Sequence, residues 1–134
     1  MSELEKIDMP KQSGLVDYIG SGANSIFQWY RRWQNTELKG TSRSVFSAFC
    51  DSIVSGEDCY TGGAPQLVGI YREGTGRRFG IIHAGKRFIN GKVIEPTENI
   101  NSIEWRNSLF ERYDGQTMEI LSGAQRQPKP SRLT

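Results

Sequence analysis

Histidine, cysteine and long apolar runs are scarce in this chain. It has one histidine, His83, and two cysteines, Cys50 and Cys59. These numbers exclude a metal site built from several histidines and a disulfide framework, and no Cys-x-x-Cys spacing suggests zinc. No apolar run approaches the ~20 residues of a membrane span, and the polar N-terminus lacks the apolar stretch of a secretory signal. We therefore expect a cytoplasmic protein with no metal, no organic cofactor and no membrane partner.

An excess of one charge is also lacking. Seventeen Lys and Arg oppose fifteen Asp and Glu, a net charge of +2 over 134 residues. So small an excess does not favour a nucleic-acid partner. The length suits one globular domain. We assign residues 1–13 to a leader, residues 14–121 to a single α+β domain and residues 122–134 to a flexible tail.

The first part of the domain has mainly helical periodicity. The short apolar run at residues 15–19 predicts a buried strand that ends at Gly20. Apolar residues then recur with helical spacing in two stretches, at Ile26, Trp29, Tyr30 and Trp33 and at Val45, Phe46, Phe49 and Ile53. Thr41 or Ser42 can cap the second helix, and Gly56 ends it.

The second part is rich in β-forming residues. Three runs follow one another, at residues 66–72, 78–83 and 87–94. Asn90 and Gly91 predict a type I′ hairpin within the last run. We also predict a last helix over residues 102–112, because five residues share a helical face: Ile103, Arg106, Leu109, Phe110 and Tyr113. Helices and strands in blocks favour an α+β layered arrangement of helices and antiparallel sheet over a parallel doubly wound one.

Two glycine-containing turns carry the candidate site. Ser21 lies between Gly20 and Gly22, where the predicted strand enters the first helix. Asp58 and Thr61 lie three residues apart, and a carboxylate and a hydroxyl at this spacing can bond each other and steer an amine or hydroxyl. Each turn also has a structural interpretation, since Ser21 can cap the helix and Asp58 can accept turn N–H groups. We expect the two turns to meet in space.

Taken together, the two turns resemble those in the C-terminal half of a proteasome-type β subunit, a family of N-terminal-nucleophile hydrolases. The resemblance is carried by Gly-Ser-Gly-Ala at residues 20–23, the two amphipathic helices, and Asp-x-x-Thr-Gly-Gly at residues 58–63. The chain is also similar to the peptidase subunit of the bacterial two-component ATP-dependent protease, through Asn-Thr-Glu-Leu at residues 35–38. The resemblance covers residues 15–93 and implies an αββα sandwich.

The resemblance implies supporting catalytic roles for three residues. Ser21 would bond to the amino group of the family's N-terminal threonine. Asp58 and Thr61 would orient that amine and tune its basicity. In the family this threonine is both nucleophile and base, activated by a lysine and an aspartate that precede the Gly-Ser-Gly turn.

The nucleophile itself has no counterpart here. Only nineteen residues precede Gly20, too few for the strands and helices that carry the missing groups. Removal of Met1 would expose Ser2, but residues 2–6 lack the pattern of a buried strand. We therefore expect a peptide- or amide-hydrolase subunit that is catalytically incomplete alone. It would form a homo-oligomer or a heteromer with a chain carrying the nucleophile half, and the resemblance adds an ATP-dependent unfoldase as a partner.

Two other functions stay open. The first is a noncatalytic assembly or binding module of the same fold. The second is a small basic RNA- or phosphate-binding domain, which would use Arg31, Arg32, Arg72, Arg77, Arg78, Lys86 and Arg87. We expect His83 to be structural, Cys50 to be buried and Cys59 to be exposed.

Overall fold

Two helices precede a group of short strands in this chain. The computed structural model describes residue 8, residues 10–70, 76–95 and 103–127, and residues 129 and 130. The helices are α1 at Ala23–Gln34 and α2 at Ser42–Ser55, and neither is long and apolar enough to cross a membrane. The strands are β1 Leu67–Ile70, β2 Gly76–His83, β3 Lys86–Ile89, β4 Lys92–Val93, β5 Glu104–Arg106, β6 Arg112–Asp114 and β7 Glu119–Ile120. The predicted α+β class is confirmed.

The two helices pack on each other and begin and end where the sequence predicts. Trp33 of α1 is fully buried, and its Nε1 donates to Oδ2 of Asp51 in α2 at 2.8 Å. Thr41 caps α2, because its Oγ1 accepts the amide N–H of Ser44 at 3.1 Å. Gly56 ends α2 with a φ of 67°, the left-handed conformation that glycine adopts without strain.

All of these strands join one sheet. Its order is β4-β3-β2-β5-β6-β7, with β1 beside β2. β2 is parallel to β5, and the other pairs are antiparallel. Asn90 and Gly91, between β3 and β4, have φ values of 52° and 78°. Two successive positive φ values are those of a type I′ turn, so the predicted hairpin is confirmed.

The sheet has two unlike faces, because side chains alternate along each strand. One face, which we call the helix face, meets α2. Its core consists of Phe46, Cys50 and Ile81, with Leu67 and Phe110 packed against them. The other, which we call the far face, carries Trp105 opposite Gly80. The candidate site is held at the start of α1, on the helical side of the sheet.

The predicted strand at residues 15–19 is wrong. No strand of the sheet pairs with these residues, and Ile19 is 86% exposed. Instead, Leu15 lines an apolar groove with Ile26 and Phe49 of the two helices. An apolar run shows that a segment can be buried, but a strand also needs a neighbour to bond its backbone groups. No neighbour is present here within the described residues.

The predicted helix over residues 102–112 is also wrong. Residue 102 lies outside the described residues. This stretch forms β5, a turn and the start of β6. Oδ1 of Asn107 accepts the amide N–H groups of Leu109 at 3.0 Å and Glu111 at 2.9 Å. The side chain thereby offers the backbone an alternative to helical bonding. Phe110 has a φ of 64°, which an α-helix cannot accommodate.

The C-terminal residues contact the domain. The amide N–H of Gln127 donates to Oε2 of Glu111 at 2.8 Å, and Nη2 of Arg43 donates to the carbonyl of Gln127 at 2.6 Å. This portion of the assigned tail therefore lies against the fold. The boundary at residue 122 remains a prediction, as does the leader, most of which lies outside the described residues.

Candidate active site

The first turn of the candidate site leads directly into α1. Gly20 has a φ of 100°, a conformation that residues with a Cβ rarely adopt. The N-cap residue of α1 is Gly22, and no side chain caps this helix. Ser21 does not take the capping role that its position allows. Its Oγ instead donates to Oδ2 of Asp58 at 2.7 Å, across thirty-seven residues of chain.

The second turn uses the two oxygens of one carboxylate for different purposes. Oδ1 of Asp58 accepts the amide N–H of Tyr60 at 3.3 Å and so stabilises the turn. Oδ2 accepts the hydroxyl of Thr61 at 2.5 Å in addition to that of Ser21. The expectation that Ser21, Asp58 and Thr61 meet in space is confirmed. The structural interpretation of Asp58 holds for Oδ1 only.

The two turns approach each other so closely that one glycine is required. A Cβ at Gly22 would lie 2.7 Å from Oγ1 of Thr61 and 3.3 Å from Oδ2 of Asp58. The first distance is shorter than real contacts allow. Since Gly22 has a φ of −83°, its requirement is space rather than backbone conformation. The sequence shows a glycine at this position but does not indicate that the side chains of Thr61 and Asp58 occupy the space beside it.

The carboxylate at the centre of the site carries a stable negative charge. The hydrogen bonds from Thr61, then from Ser21, and the amide of Tyr60 lower the pKa of Asp58 below its ordinary value. Glu57 lies beside it and accepts the hydroxyl of the buried Ser25 at 3.3 Å. Asp58 bonds to Ser21 just before α1, and Glu57 bonds to Ser25 in the first turn of α1. The helix dipole favours negative charge at this end of a helix.

Sequence analysis missed the Ser25 and Glu57 pair. The signal was present, because Ser21 and Ser25 are four residues apart and Asp58 follows Glu57 directly. Two hydroxyls four residues apart, one before α1 and one in its first turn, can therefore face two adjacent carboxylates. These spacings predict the second pair only once the two turns are known to be in contact.

The geometry determines what the site can do chemically. Each hydroxyl donates its only proton to Asp58, so the lone pairs of Ser21 and Thr61 remain available as acceptors. A surface carboxylate flanked by two such oxygens suits a group that donates several N–H bonds and carries positive charge, as an ammonium does. Both hydroxyls are paired with Asp58, but the lowered pKa of that carboxyl group makes it a poor base for activating them. The arrangement therefore suits the positioning of an amine better than nucleophilic attack.

The other singled-out residues lie elsewhere. His83 ends β2 and packs edge-on against Phe88, with ring centroids 5.8 Å apart. Cys50 is buried, which raises the pKa of its thiol to about 12, and Cys59 is exposed, as predicted. Ser2 lies outside the described residues. Among the described residues no group of three or more His, Cys, Asp or Glu side chains could hold a metal ion.

Three of the seven basic residues contact other groups of this chain. Arg31 lies over the ring of Phe27 and Arg32 over that of Trp29. Arg87 is used within the fold, because it donates to the carbonyls of Gly115 and Gln116. Arg72 and the side chain of Arg77 lie outside the described part of the chain. The alternative of an RNA- or phosphate-binding domain gains no support from these contacts.

Comparison with protein-family models, curated proteins and solved structures finds no match to this chain. The resemblance to proteasome-type subunits therefore depends on the two turns, the two helices and the Asn-Thr-Glu-Leu segment at residues 35–38. Of these, the two turns are in contact through the bonds of Ser21 and Thr61 to Asp58.

Proposed function

We propose that this chain is the amine-orienting half of an N-terminal-nucleophile hydrolase that cleaves peptide or amide bonds with a partner chain. The observation that carries the proposal is the pair of hydroxyl bonds to one oxygen of Asp58, from Ser21 and from Thr61. Two residues forty positions apart thereby act on one carboxylate at the surface. A helix layer on one sheet is also what half of an αββα sandwich would contain.

In the proposed complex, the partner supplies an N-terminal residue with a free amine and a side-chain hydroxyl. Ser21 and Thr61 accept hydrogen bonds from the amine, and the charge of Asp58 raises the amine's pKa, which strengthens it as a proton acceptor. The hydroxyl oxygen attacks the substrate carbonyl, and the amine accepts the proton of that hydroxyl. The proton passes to the leaving amine, and water then hydrolyses the ester intermediate.

Because the carboxyl group paired with Ser21 and Thr61 has a lowered pKa and is a poor base, we expect the chain to be inactive alone. Purified full-length chain should not hydrolyse fluorogenic peptide amides or esters. Turnover that disappears in Ser2→Ala or His83→Ala would show that this chain carries its own nucleophile or base, and the proposal of an incomplete half would be wrong.

The decisive experiment uses the complex as it exists in the cells that encode the chain. Tagged full-length protein is isolated under native conditions and treated with a peptide epoxyketone, which closes a ring with an amine and a hydroxyl on the same residue. We expect mass spectrometry to find the adduct on the N-terminal residue of a copurifying chain. Absence of an adduct from an intact complex would favour the noncatalytic assembly module.

Variants then test the roles of the three residues. Ser21→Ala should slow labelling about 100-fold, because the amine is no longer held in position. Asp58→Asn should also slow labelling, because the charge that raises the pKa of the amine is removed. Ser52→Ala is the matched control, since its hydroxyl donates to the carbonyl of Phe49 within α2 at 2.7 Å. Equal labelling rates in all three variants would contradict the orienting role even if a nucleophile-bearing partner is found.

A further inference from the structure

An apolar groove lies between residues 15–19 and the two helices. Leu15 and Ile19 line it from this segment, and Ile26 and Phe49 line it from α1 and α2. Its volume is about 340 Å³. A cavity of about 150 Å³ already holds a benzene ring, so the groove has room for two aliphatic side chains.

The groove adjoins the candidate site. Ile19 precedes Ser21 by two residues, which span at most about 7 Å of chain. The amide N–H of Ile26 donates to the carbonyl of Gly22 in the first turn of the site at 3.0 Å. An extended peptide advances about 3.3 Å per residue. A peptide whose terminal amine lies at Asp58 therefore reaches the groove with the side chain of its second or third residue.

Apolar side chains around the groove and the site are exposed. Residues 16–27 and 58–61, which the bond between Ser21 and Asp58 joins, contain five of the eight large apolar side chains that are exposed in the described part of the chain. These five are Val16, Tyr18, Ile19, Phe27 and Tyr60. Ile19 and Tyr60 are each 86% exposed, so the fold leaves them uncovered. Exposed apolar side chains concentrated in one region are typical of an interaction surface.

We propose that the groove binds the N-terminal segment of the partner chain. The terminal amine of that segment lies at Asp58, and the apolar side chain of its second or third residue lies in the groove. The inference rests on the proposed function, because that function places the amine. It adds which sequences the partner can carry at its start.

Charge decides the class of occupant. Asp17 lines the groove, and Asp58 and Glu57 lie at the adjoining site. Their carboxylates complement an ammonium group, and they would repel Asp or Glu near the start of the bound segment. Nucleic acid is disfavoured for the same reason, because its phosphates would meet these carboxylates.

NMR spectroscopy of the full-length chain tests the proposal with three synthetic peptides: Thr-Leu-Leu-amide, its N-acetylated form and Thr-Ser-Ser-amide. The first should shift the backbone amide signals of Ile19 and Ala48 at the groove and of Ser21 and Thr61 at the turns. Acetylation removes the ammonium group and the two serines remove the apolar side chains, so each change should weaken binding about tenfold. Equal affinity for Thr-Leu-Leu-amide and Thr-Ser-Ser-amide, or no shift at the groove, would overturn the proposal. Shifts at the groove that grow with protein concentration in the absence of peptide would assign it to a second copy and overturn the proposal as well.

A surface variant tests the groove without disturbing the core. Ile19→Ser removes an exposed apolar side chain that the bound segment would cover, and it should weaken binding of Thr-Leu-Leu-amide about tenfold. Val54→Ser is the matched control, because Val54 is 71% exposed near the end of α2 and does not line the groove. Equal affinities of the two variants would show that the peptide does not bind in the groove.

The outcomes separate this inference from the proposed function. If Thr-Leu-Leu-amide binds as expected but the native complex forms no adduct with the epoxyketone, the groove binds N-terminal segments and the hydrolase proposal fails. If the epoxyketone labels a chain whose second and third residues are both polar, the hydrolase proposal stands and the groove proposal fails.

Discussion

Two carboxylates in this molecule make a similar number of hydrogen bonds but belong to different kinds of environment. Glu111 is 5% exposed. Its oxygens accept the side-chain amide of Asn107 at 2.8 Å, the backbone N–H of Gln127 at 2.8 Å and Nε of Arg126 at 3.2 Å. In these three contacts the partner group is an N–H donor that cannot also accept a hydrogen bond. Glu111 is thus enclosed by the chain and joins the turn before β6 to the C-terminal segment.

Asp58 differs in its donors and in its access to solvent. Two of its three donors are hydroxyls, from Ser21 and Thr61, and a hydroxyl that donates can still accept. The pKa values of both carboxyl groups are lowered. Burial alone would raise the pKa of Glu111, but its hydrogen bonds and the positive charge of Arg126 lower this pKa by more. The number of bonds therefore does not distinguish a structural carboxylate from a site, whereas donor type and access do.

The largest effect on folding should come from the enclosed carboxylate. Glu111→Gln replaces one acceptor oxygen by an NH₂ group. This group then lies against an N–H donor of the chain in a buried environment, where neither donor has an acceptor. We expect a loss of about 2 kcal/mol in the free energy of unfolding, measured by urea denaturation. Glu119→Gln on the exposed surface of β7 is the control and should change little. A loss below about 0.5 kcal/mol in Glu111→Gln would mean that solvent reaches this carboxylate.

Sequence analysis predicted one of these environments and not the other. Ser21, Asp58 and Thr61 occur in recognisable turns, and the helix pair between them has clear periodicity, so their meeting could be predicted. Glu111 has no local signature. Its environment depends on Asn107 ending the helical pattern and on Gln127 returning to the domain, contacts that periodicity cannot reveal.

The same limit explains the two wrong secondary-structure predictions. Residues 15–19 and residues 102–112 both have apolar patterns that fit the predicted element. In the first case no neighbouring strand is present among the described residues. In the second, Trp105 packs on Gly80 across the sheet, and this tertiary contact replaces the helical spacing. The type I′ hairpin and the cap at Thr41 were predictable because their geometry is local.

The next largest effect should come from the close approach of the two turns. Gly22→Ala places a methyl group against Oγ1 of Thr61 and must separate the turns or displace that side chain. We expect a loss of about 1 kcal/mol in the free energy of unfolding and altered NMR shifts for Thr61. Gly62→Ala is the matched control, because a Cβ there meets nothing within 4 Å. Equal effects would show that the turns are not in contact in solution.

A smaller effect should appear on acidification. The ordinary pKa values are 4.5 for Glu111 and 3.8 for Asp58, and both are lowered in the folded chain. A lowered pKa stabilises the fold above the ordinary value, and this stabilisation is lost as the pH falls through the lowered one. Urea midpoints should therefore drop between about pH 5 and pH 3. Glu111→Gln should reduce that drop more than Asp58→Asn does, because solvent screens Asp58; the reverse order would contradict the contrast between the sites.

The smallest effect on folding should come from Asp58→Asn. The amide oxygen can still accept the hydroxyls of Ser21 and Thr61. The NH₂ group then takes the place of Oδ1, so only the long 3.3 Å bond from the backbone N–H of Tyr60 is lost, at an exposed position. The urea midpoint should therefore stay close to that of the unchanged chain, while the labelling rate of the native complex falls. The matched comparison is Glu111→Gln, the same exchange of carboxylate for amide in the enclosed site. If Asp58→Asn lowers the midpoint as much as Glu111→Gln does, Asp58 is needed to hold the two turns together. Slower labelling would then reflect a damaged fold, and the case for an amine-orienting site would rest on Ser21→Ala alone.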